Sequence, residues 1–145
     1  MKGLVHIYEG TGKGKSTAGV GLTIRCAGNG FPVVYSQFLK DGTTGEMNIL
    51  RKIPNITVLV EEHHFGFSFL MTPEEKVEAK AAYTALFEKV KAAAVEQNAR
   101  LLVMDEMLDL CNAELIDTAM VVDFLKNRPE QLEVVMTGRN RNRNW

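Results

Sequence analysis

Leu4-Val5-His6-Ile7-Tyr8-Glu9-Gly10-Thr11-Gly12-Lys13-Gly14-Lys15-Ser16-Thr17 is the stretch whose reading decides the fold. Leu4 to Tyr8 predicts a strand, and Ser16 to about Ala27 predicts a helix ended by Gly28 and Gly30. A glycine-rich turn between a strand and a helix leaves several backbone N–H groups pointing one way, at the positive end of a helix dipole. Phosphate oxygens suit that position. Gly10, Gly12 and Gly14 permit the close approach, and Thr11 completes the turn. Lys15 adds a charge for the phosphates, Lys13 adds a second, and the Ser16 hydroxyl can reach a Mg²⁺ ion. The usual phosphate-loop spacing has a glycine where Glu9 stands, so the first glycine here comes one residue late.

Working outward, the chain alternates apolar runs with helical patterns. Strands are expected at Pro32 to Phe38, Ile56 to Val60, Leu101 to Met104 and Leu132 to Met136. A short helical piece is expected near Glu46 to Arg51. Thr72-Pro73-Glu74-Glu75 starts a helix with a capping residue, a first-turn proline and a capping box. That helix should run to about Gln97, burying Ala79, Tyr83, Leu86, Val90 and Ala93. Leu115, Ala119, Val122 and Leu125 predict the stripe of another helix, stopped near Pro129. Short apolar strands separated by helices belong to a parallel sheet covered on both faces, with ligands at the carboxyl ends of the strands. Glu9 to Ser16, Gln37 to Lys40, Glu61 to Phe69, Asp105-Glu106 and Thr137-Gly138-Arg139 fall at those ends.

The bulk numbers narrow the function classes. At 145 residues the chain suits a single domain over 1–145 with a real core. A net charge of -1 carries no bulk electrostatic footprint for nucleic acid or an anionic membrane. Cys26 and Cys111 are far apart in sequence, which predicts reduced thiols and no zinc site. No apolar run approaches the roughly 18 residues of a membrane span, and no export signal is visible. The expected compartment is therefore the cytoplasm.

Arg100 to Glu106 is an apolar strand ending in two carboxylates, Asp105 and Glu106. Downstream of a phosphate loop, an acid at such a strand end can hold Mg²⁺ across from the loop hydroxyl. Mg²⁺ keeps several waters, so one or two carboxylates plus phosphate oxygens suffice. His6 reads as a packed strand residue, His63 and His64 as a solvated pair, and Arg25 as an exposed charge. No protein nucleophile stands out. Phe65, Phe67 and Phe69 alternate at period two, the spacing of one strand face.

Taken in order, Glu9 to Thr17, Ser36-Gln-Phe-Leu-Lys40, Thr44-Gly-Glu46, Gly66-Phe-Ser-Phe69, Val103-Met-Asp-Glu-Met107, Leu125-Lys-Asn-Arg-Pro129 and Val134-Val-Met-Thr-Gly-Arg139 resemble the P-loop corrinoid adenosyltransferases. These enzymes act on cob(I)yrinic acid a,c-diamide and cob(I)alamin. The resemblance spans nearly the whole chain. It implies an α/β, three-layer P-loop NTPase-like (RecA-like) fold, with a mostly parallel sheet of five or six strands. It also implies a reaction in which a Co(I) corrinoid attacks the 5′ carbon of ATP and triphosphate leaves. The nucleophile is then the metal of the corrin, so the protein needs none of its own.

By position, the resemblance gives Gly12, Lys13, Gly14, Lys15, Ser16 and Thr17 the triphosphate, with Gly10 and Thr11 in the same loop. It gives Mg²⁺ to Ser16 and Glu106, with Asp105 beside them. Lys15 and Glu106 become the candidate catalytic pair. Phe67 and Phe69 match an aromatic pair under the corrin; Phe69 stands where members often carry Trp. Gln37 and Arg139 are further candidate contacts to ATP or corrinoid. A homodimer and a flavoprotein reductase as partner are also implied. Two other readings of the residues stay open: a generic P-loop ATPase or small-molecule kinase, and a non-catalytic ATP- or corrinoid-binding protein.

Overall fold

The computed structural model describes residues 3–9, 15–39, 44–63, 65 and 70–139, with the backbone alone at Lys15. In chain order the elements are β1 (Val5–Glu9), α1 (Lys15–Gly28), β2 (Val33–Gln37), α2 (Gly45–Leu50), β3 (Ile56–Val60), α3 (Pro73–Glu96), β4 (Leu101–Asp105), α4 (Met107–Asn112), α5 (Thr118–Asn127) and β5 (Glu133–Gly138). The five described strands form one sheet in the order β1-β5-β4-β2-β3, and every pairing is parallel. The α/β class and the parallel sheet expected from the sequence are what the chain adopts.

The chain crosses from β1 to β2 and β3, then returns to β4 and β5. Crossovers of one hand put the helices of the outward leg on one face and those of the return leg on the other. The two cores follow that rule. Ala27 of α1 and Met47 and Leu50 of α2 pack with Val33, Tyr35, Leu101, Val103 and Val135. On the other face Ala79, Leu86 and Phe87 of α3, Leu108 of α4 and Phe124 of α5 pack with Val34, Leu102, Met104, Val134 and Met136. β2 and β4, flanked by strands on both sides, are buried at every residue, which explains the apolar run that opens each before its polar carboxyl end at Ser36-Gln37 and Asp105. Edge strand β1 is only half buried. Gly19 sets α1 tight on the sheet, since a Cβ there would meet Val103 Cγ1 at 3.2 Å.

The α3 start matches its sequence signature. Glu75 N donates to Thr72 Oγ1 at 3.1 Å, and Thr72 N donates to Glu75 Oε1 at 3.2 Å, with Pro73 in the first turn. The buried stripe of α3 is Ala79, Tyr83, Leu86, Phe87, Val90 and Ala94; the expected Ala93 is only partly buried. A larger correction falls on the next helical pattern. Leu115 is buried but precedes the helix, and Asp117 caps it by accepting from Ala119 N at 3.0 Å. Counted from that cap, the buried positions of α5 are Val121, Phe124 and Leu125, while Ala119 is exposed and Val122 half buried. The stripe inferred from sequence crossed a cap and so took the wrong phase. The six-residue α4 was not anticipated, because so short a helix leaves no periodicity to read.

Candidate active site

Parallel pairing brings the carboxyl ends of the strands to one edge of the sheet. Glu9 stands opposite Gly138, and Gln37 stands opposite both Val60 and Asp105. β5 lies between β1 and β4, so the strand that precedes the glycine-rich residues 10–14 is not adjacent to the strand bearing the acids. The gap is bridged by α1. Its residue Ser16 lies in the first helical turn, and Ser16 Oγ donates to Asp105 Oδ1 at 2.9 Å and Oδ2 at 3.1 Å.

Asp105 is 1% exposed and, among the described residues, receives hydroxyl or amide donors from α1, β5 and β2. Besides Ser16 of α1, Thr137 Oγ1 of β5 donates to Oδ1 at 2.7 Å, and Gln37 Nε2 of β2 donates to Oδ2 at 3.4 Å. Such convergence fixes a carboxylate in one orientation. Thr137 has a second task. Its Oγ1 accepts from Glu106 N at 2.8 Å, and Glu106 holds a left-handed backbone with φ 66°. A non-glycine residue in that region costs about 1 kcal/mol or more. The turn between β4 and α4 is therefore strained at the second acid.

Gly138 and Arg139 continue the tie between β5 and α4. A Cβ on Gly138 would lie 2.4 Å from Leu108 Cβ and 3.0 Å from Asp109 N, so only glycine allows this approach. Arg139 N donates to Asp109 Oδ1 at 2.9 Å, and Arg139 itself is exposed.

On the β2 side the polar groups are less well matched. Tyr35 and Gln37 are fully buried, yet Tyr35 Oη and Gln37 Oε1 have no hydrogen-bond partner among the described residues, nor has Thr44 Oγ1. Burial foremost, then the charges of Asp105 and Glu46, push the Tyr35 phenol well above its ordinary range. The nearby Gln37 side chain opposes that rise. Tyr35 is thus a neutral phenol beside the acid cluster.

The structure therefore brings together Ser16, Gln37, Asp105 and Glu106 from the candidates named by sequence. Thr17 is exposed on α1. Gly10, Thr11, Gly12, Lys13, Gly14, Phe67 and Phe69 lie outside the described residues, as does the Lys15 side chain. The sequence names Thr137 only within Thr137-Gly138-Arg139 at a strand end, with no role of its own, and Tyr35 only as a strand residue. The signal for Thr137 was its place one residue from the end of the last strand, where the site gathers. Tyr35 offered no signal beyond an apolar strand context.

The remaining candidates stay structural. His6 pairs with Glu133, and Arg25 is exposed. His63 packs against the Phe65 ring at 4.3 Å between centroids. Cys26 and Cys111 are free, and burial raises Cys111 to about 11. Among the described residues no three His, Cys, Asp or Glu cluster in a way that could hold a metal by themselves, and no helix is long and apolar enough to cross a membrane.

Comparison with known proteins gives this geometry a lineage. A corrinoid adenosyltransferase of a Sinorhizobium species is 33% identical over 141 residues, covering 96% of this chain and 65% of its own length. The corrinoid adenosyltransferase of Escherichia coli strain K12 is 29% identical, covering 95% of this chain and 68% of its own length. That of Salmonella typhimurium strain LT2 is also 29% identical, with the same coverage. The chain thus spans about two-thirds of the length of these relatives. Among solved structures, the ATPase 2 and 3 region of Thermomonospora curvata EccC superposes with a TM-score of 0.51 at 17% identity, over 94% of this chain and 27% of that one, a likeness of fold alone. The family model for ATP:corrinoid adenosyltransferase BtuR/CobO/CobP matches residues 1–145, and the chain belongs to that family.

Proposed function

We propose that this chain transfers the 5′-deoxyadenosyl group of ATP to the Co(I) centre of a corrinoid and releases inorganic triphosphate, in adenosylcobalamin biosynthesis or salvage. The observation that carries the reading is the pairing of Ser16 with Asp105 across β5. It sets the hydroxyl that follows the Gly-Lys loop against the acid at the end of β4, within a chain of this family.

Bond changes balance without a protein nucleophile. The cobalt electron pair forms the cobalt–carbon bond, and the C5′–O bond breaks with its electrons going to the triphosphate. What the protein supplies is alignment and stabilisation of the departing charge. The backbone of residues 10–14, with Lys13, Lys15, Ser16 and Thr17, would grip the triphosphate. Lys15 would meet the charge that develops on the leaving group. Phe67 and Phe69 would face the corrin, and Arg139, exposed at the same edge, would meet phosphate or corrin side chains.

The donor set fits a Mg²⁺ ion by its chemistry: a hydroxyl, Ser16, and a buried carboxylate, Asp105, meet at one point with a second carboxylate residue, Glu106, next in sequence, all hard oxygen donors. Gln37 Oε1, buried and without a partner among the described residues, is an unmatched acceptor on the side chain that also reaches Asp105. Ser16 and Asp105, with Glu106 adjacent, would hold the ion, and bound there it would neutralise triphosphate charge. A cytoplasmic homodimer supplied with Co(I) by a flavoprotein reductase completes the reading.

The test mixes protein, ATP, Mg²⁺ and chemically reduced corrinoid. The expected result is the adenosylated product with triphosphate in equal amount. ADP or orthophosphate without a cobalt–carbon product would replace this reading with that of an ATPase or kinase. Tight binding of both substrates without turnover would make the chain a carrier.

A further inference from the structure

We propose that Thr137 is a positioning residue of this site: its single hydroxyl sets the orientation of Asp105 and the backbone of Glu106 together, and through them the affinity for the divalent cation. The inference rests on the cation reading given above, but its geometry stands apart from it.

A threonine hydroxyl has one proton and can accept as well as donate. Thr137 Oγ1 spends its proton on Asp105 Oδ1 at 2.7 Å and takes the Glu106 amide proton at 2.8 Å. Thr137 is fully buried, its bond to Asp105 lies inside the fold, and its bond from Glu106 N is part-buried. The direction of each bond is forced. The backbone amide can only donate, so the hydroxyl proton is free for the carboxylate and holds Asp105 as an acceptor. Ser16 Oγ, another close donor among the described residues, reaches the same Oδ1 at 2.9 Å. Thr137 thus anchors that oxygen from the sheet side while Ser16 meets it from the helix side.

The second bond addresses the strain. Glu106 is one of three described non-glycine residues with positive φ, and the others, Asn98 and Glu114, follow the ends of helices α3 and α4. Glu106 instead precedes α4, where its conformation turns the chain from β4 into that helix. The amide bond to Thr137 is a long-range contact holding the turn in its costly region. β5 reinforces it over the next two residues, through the close approach of Gly138 to Leu108 and the bond from Arg139 N to Asp109. The end of β5 therefore acts as a template on which the acid turn is laid, and Thr137 is the residue of that template that touches both acids.

The experiment compares Thr137→Val with Thr137→Ser. ATP binding is measured by calorimetry in Mg²⁺ and in chelator, and amide exchange is followed at Glu106 in the metal-free protein. Thr137→Val is expected to weaken Mg²⁺-dependent ATP binding about 10- to 100-fold, as loss of a group orienting a metal ligand does. Binding in chelator should change less than about threefold, and Glu106 should exchange faster. Thr137→Ser should restore both. If valine does not fold, Thr137→Ala against Thr137→Ser isolates the hydroxyl in the same way. Equal Mg²⁺ dependence in valine and wild type, unchanged protection at Glu106, or equal losses with and without Mg²⁺ would each overturn the proposal. A wild-type protein that binds ATP identically in Mg²⁺ and chelator would overturn the cation reading itself, a result separable from failure of Thr137.

Discussion

Two halves of one sheet edge treat their buried polar atoms in opposite ways. At the β4–β5 end, Asp105 and Thr137 are buried, and hydrogen bonds of 2.7 to 3.1 Å join them to each other, to Ser16 and to Glu106 N. At the β2 end, Tyr35 Oη and Gln37 Oε1 are equally buried and have no described partner, and the one bond to Asp105 is a long 3.4 Å. Leaving a buried hydroxyl or carbonyl unmatched costs about 1–3 kcal/mol, so the contrast is one of design as well as geometry. The first region is fixed by its own side chains. The second holds polar capacity in reserve, within reach of the acid.

Substitution of the acid should break that contrast most severely. Asp105→Asn places an amide among the donors of Ser16, Thr137 and Gln37, and removes the charge opposite the loop hydroxyl. Product formation should fall about 100-fold or more, the scale for losing one preorganised electrostatic group. The rate of cobalt–carbon formation measures it, and a loss under tenfold would show that Asp105 only holds the turn.

The next effect is on stability. Gly138→Ala forces a Cβ to 2.4 Å from Leu108 Cβ, with the Asp109 backbone close behind. Overpacking of this kind costs about 1–3 kcal/mol. The melting temperature should fall by roughly 3–10 °C for a domain of this size. An unchanged melting temperature would mean that α4 slides freely on β5, and the first region would lose its claim to rigidity.

These two regions also mark how far the sequence could be read. The first strand, the helix that ends near Ala27, the parallel sheet and the α3 cap are all legible, since each depends on local pattern, while the glycine turn of residues 10–14 lies outside the described residues. Asp105 and Gln37 were legible as strand ends. What could not be read depends on which strands become neighbours. Placing β5 between β1 and β4 is what brings Thr137 under Asp105, 32 residues away in sequence. The left-handed Glu106 was hidden because nothing in Asp-Glu-Met signals positive φ. The phase of α5 differs from the apolar pattern because Asp117, the cap, lies inside the run from Leu115 to Leu125.

A milder change sharpens the reserve region. Gln37→Leu keeps the volume and removes both the long bond to Asp105 and the unmatched Oε1. If that oxygen serves a cation-bound water, Mg²⁺-dependent ATP affinity should drop about fivefold, the worth of one bridged hydrogen bond. Binding in chelator should stay constant. Equal affinity in both conditions would leave Gln37 as a packing residue.

The smallest expected effect is the most diagnostic of the comparison. Tyr35→Phe deletes only Oη, a buried, neutral atom near the Gln37 side chain that has no partner at hydrogen-bonding geometry among the described residues. Removing an unmatched buried hydroxyl relieves its desolvation cost, so the protein should be as stable as wild type or more stable by up to about 1 kcal/mol. The corresponding change for a matched group runs the other way: Thr137→Val strands the Glu106 amide and takes a donor from Asp105, and should destabilise. Urea unfolding of the two variants side by side gives the sign directly. If Tyr35→Phe loses as much as Thr137→Val, the β2 end is partnered after all and the asymmetry of the edge disappears. If the signs are opposite, stability is concentrated where the acids are held, and the β2 end is the part of the edge left to be completed by what binds there.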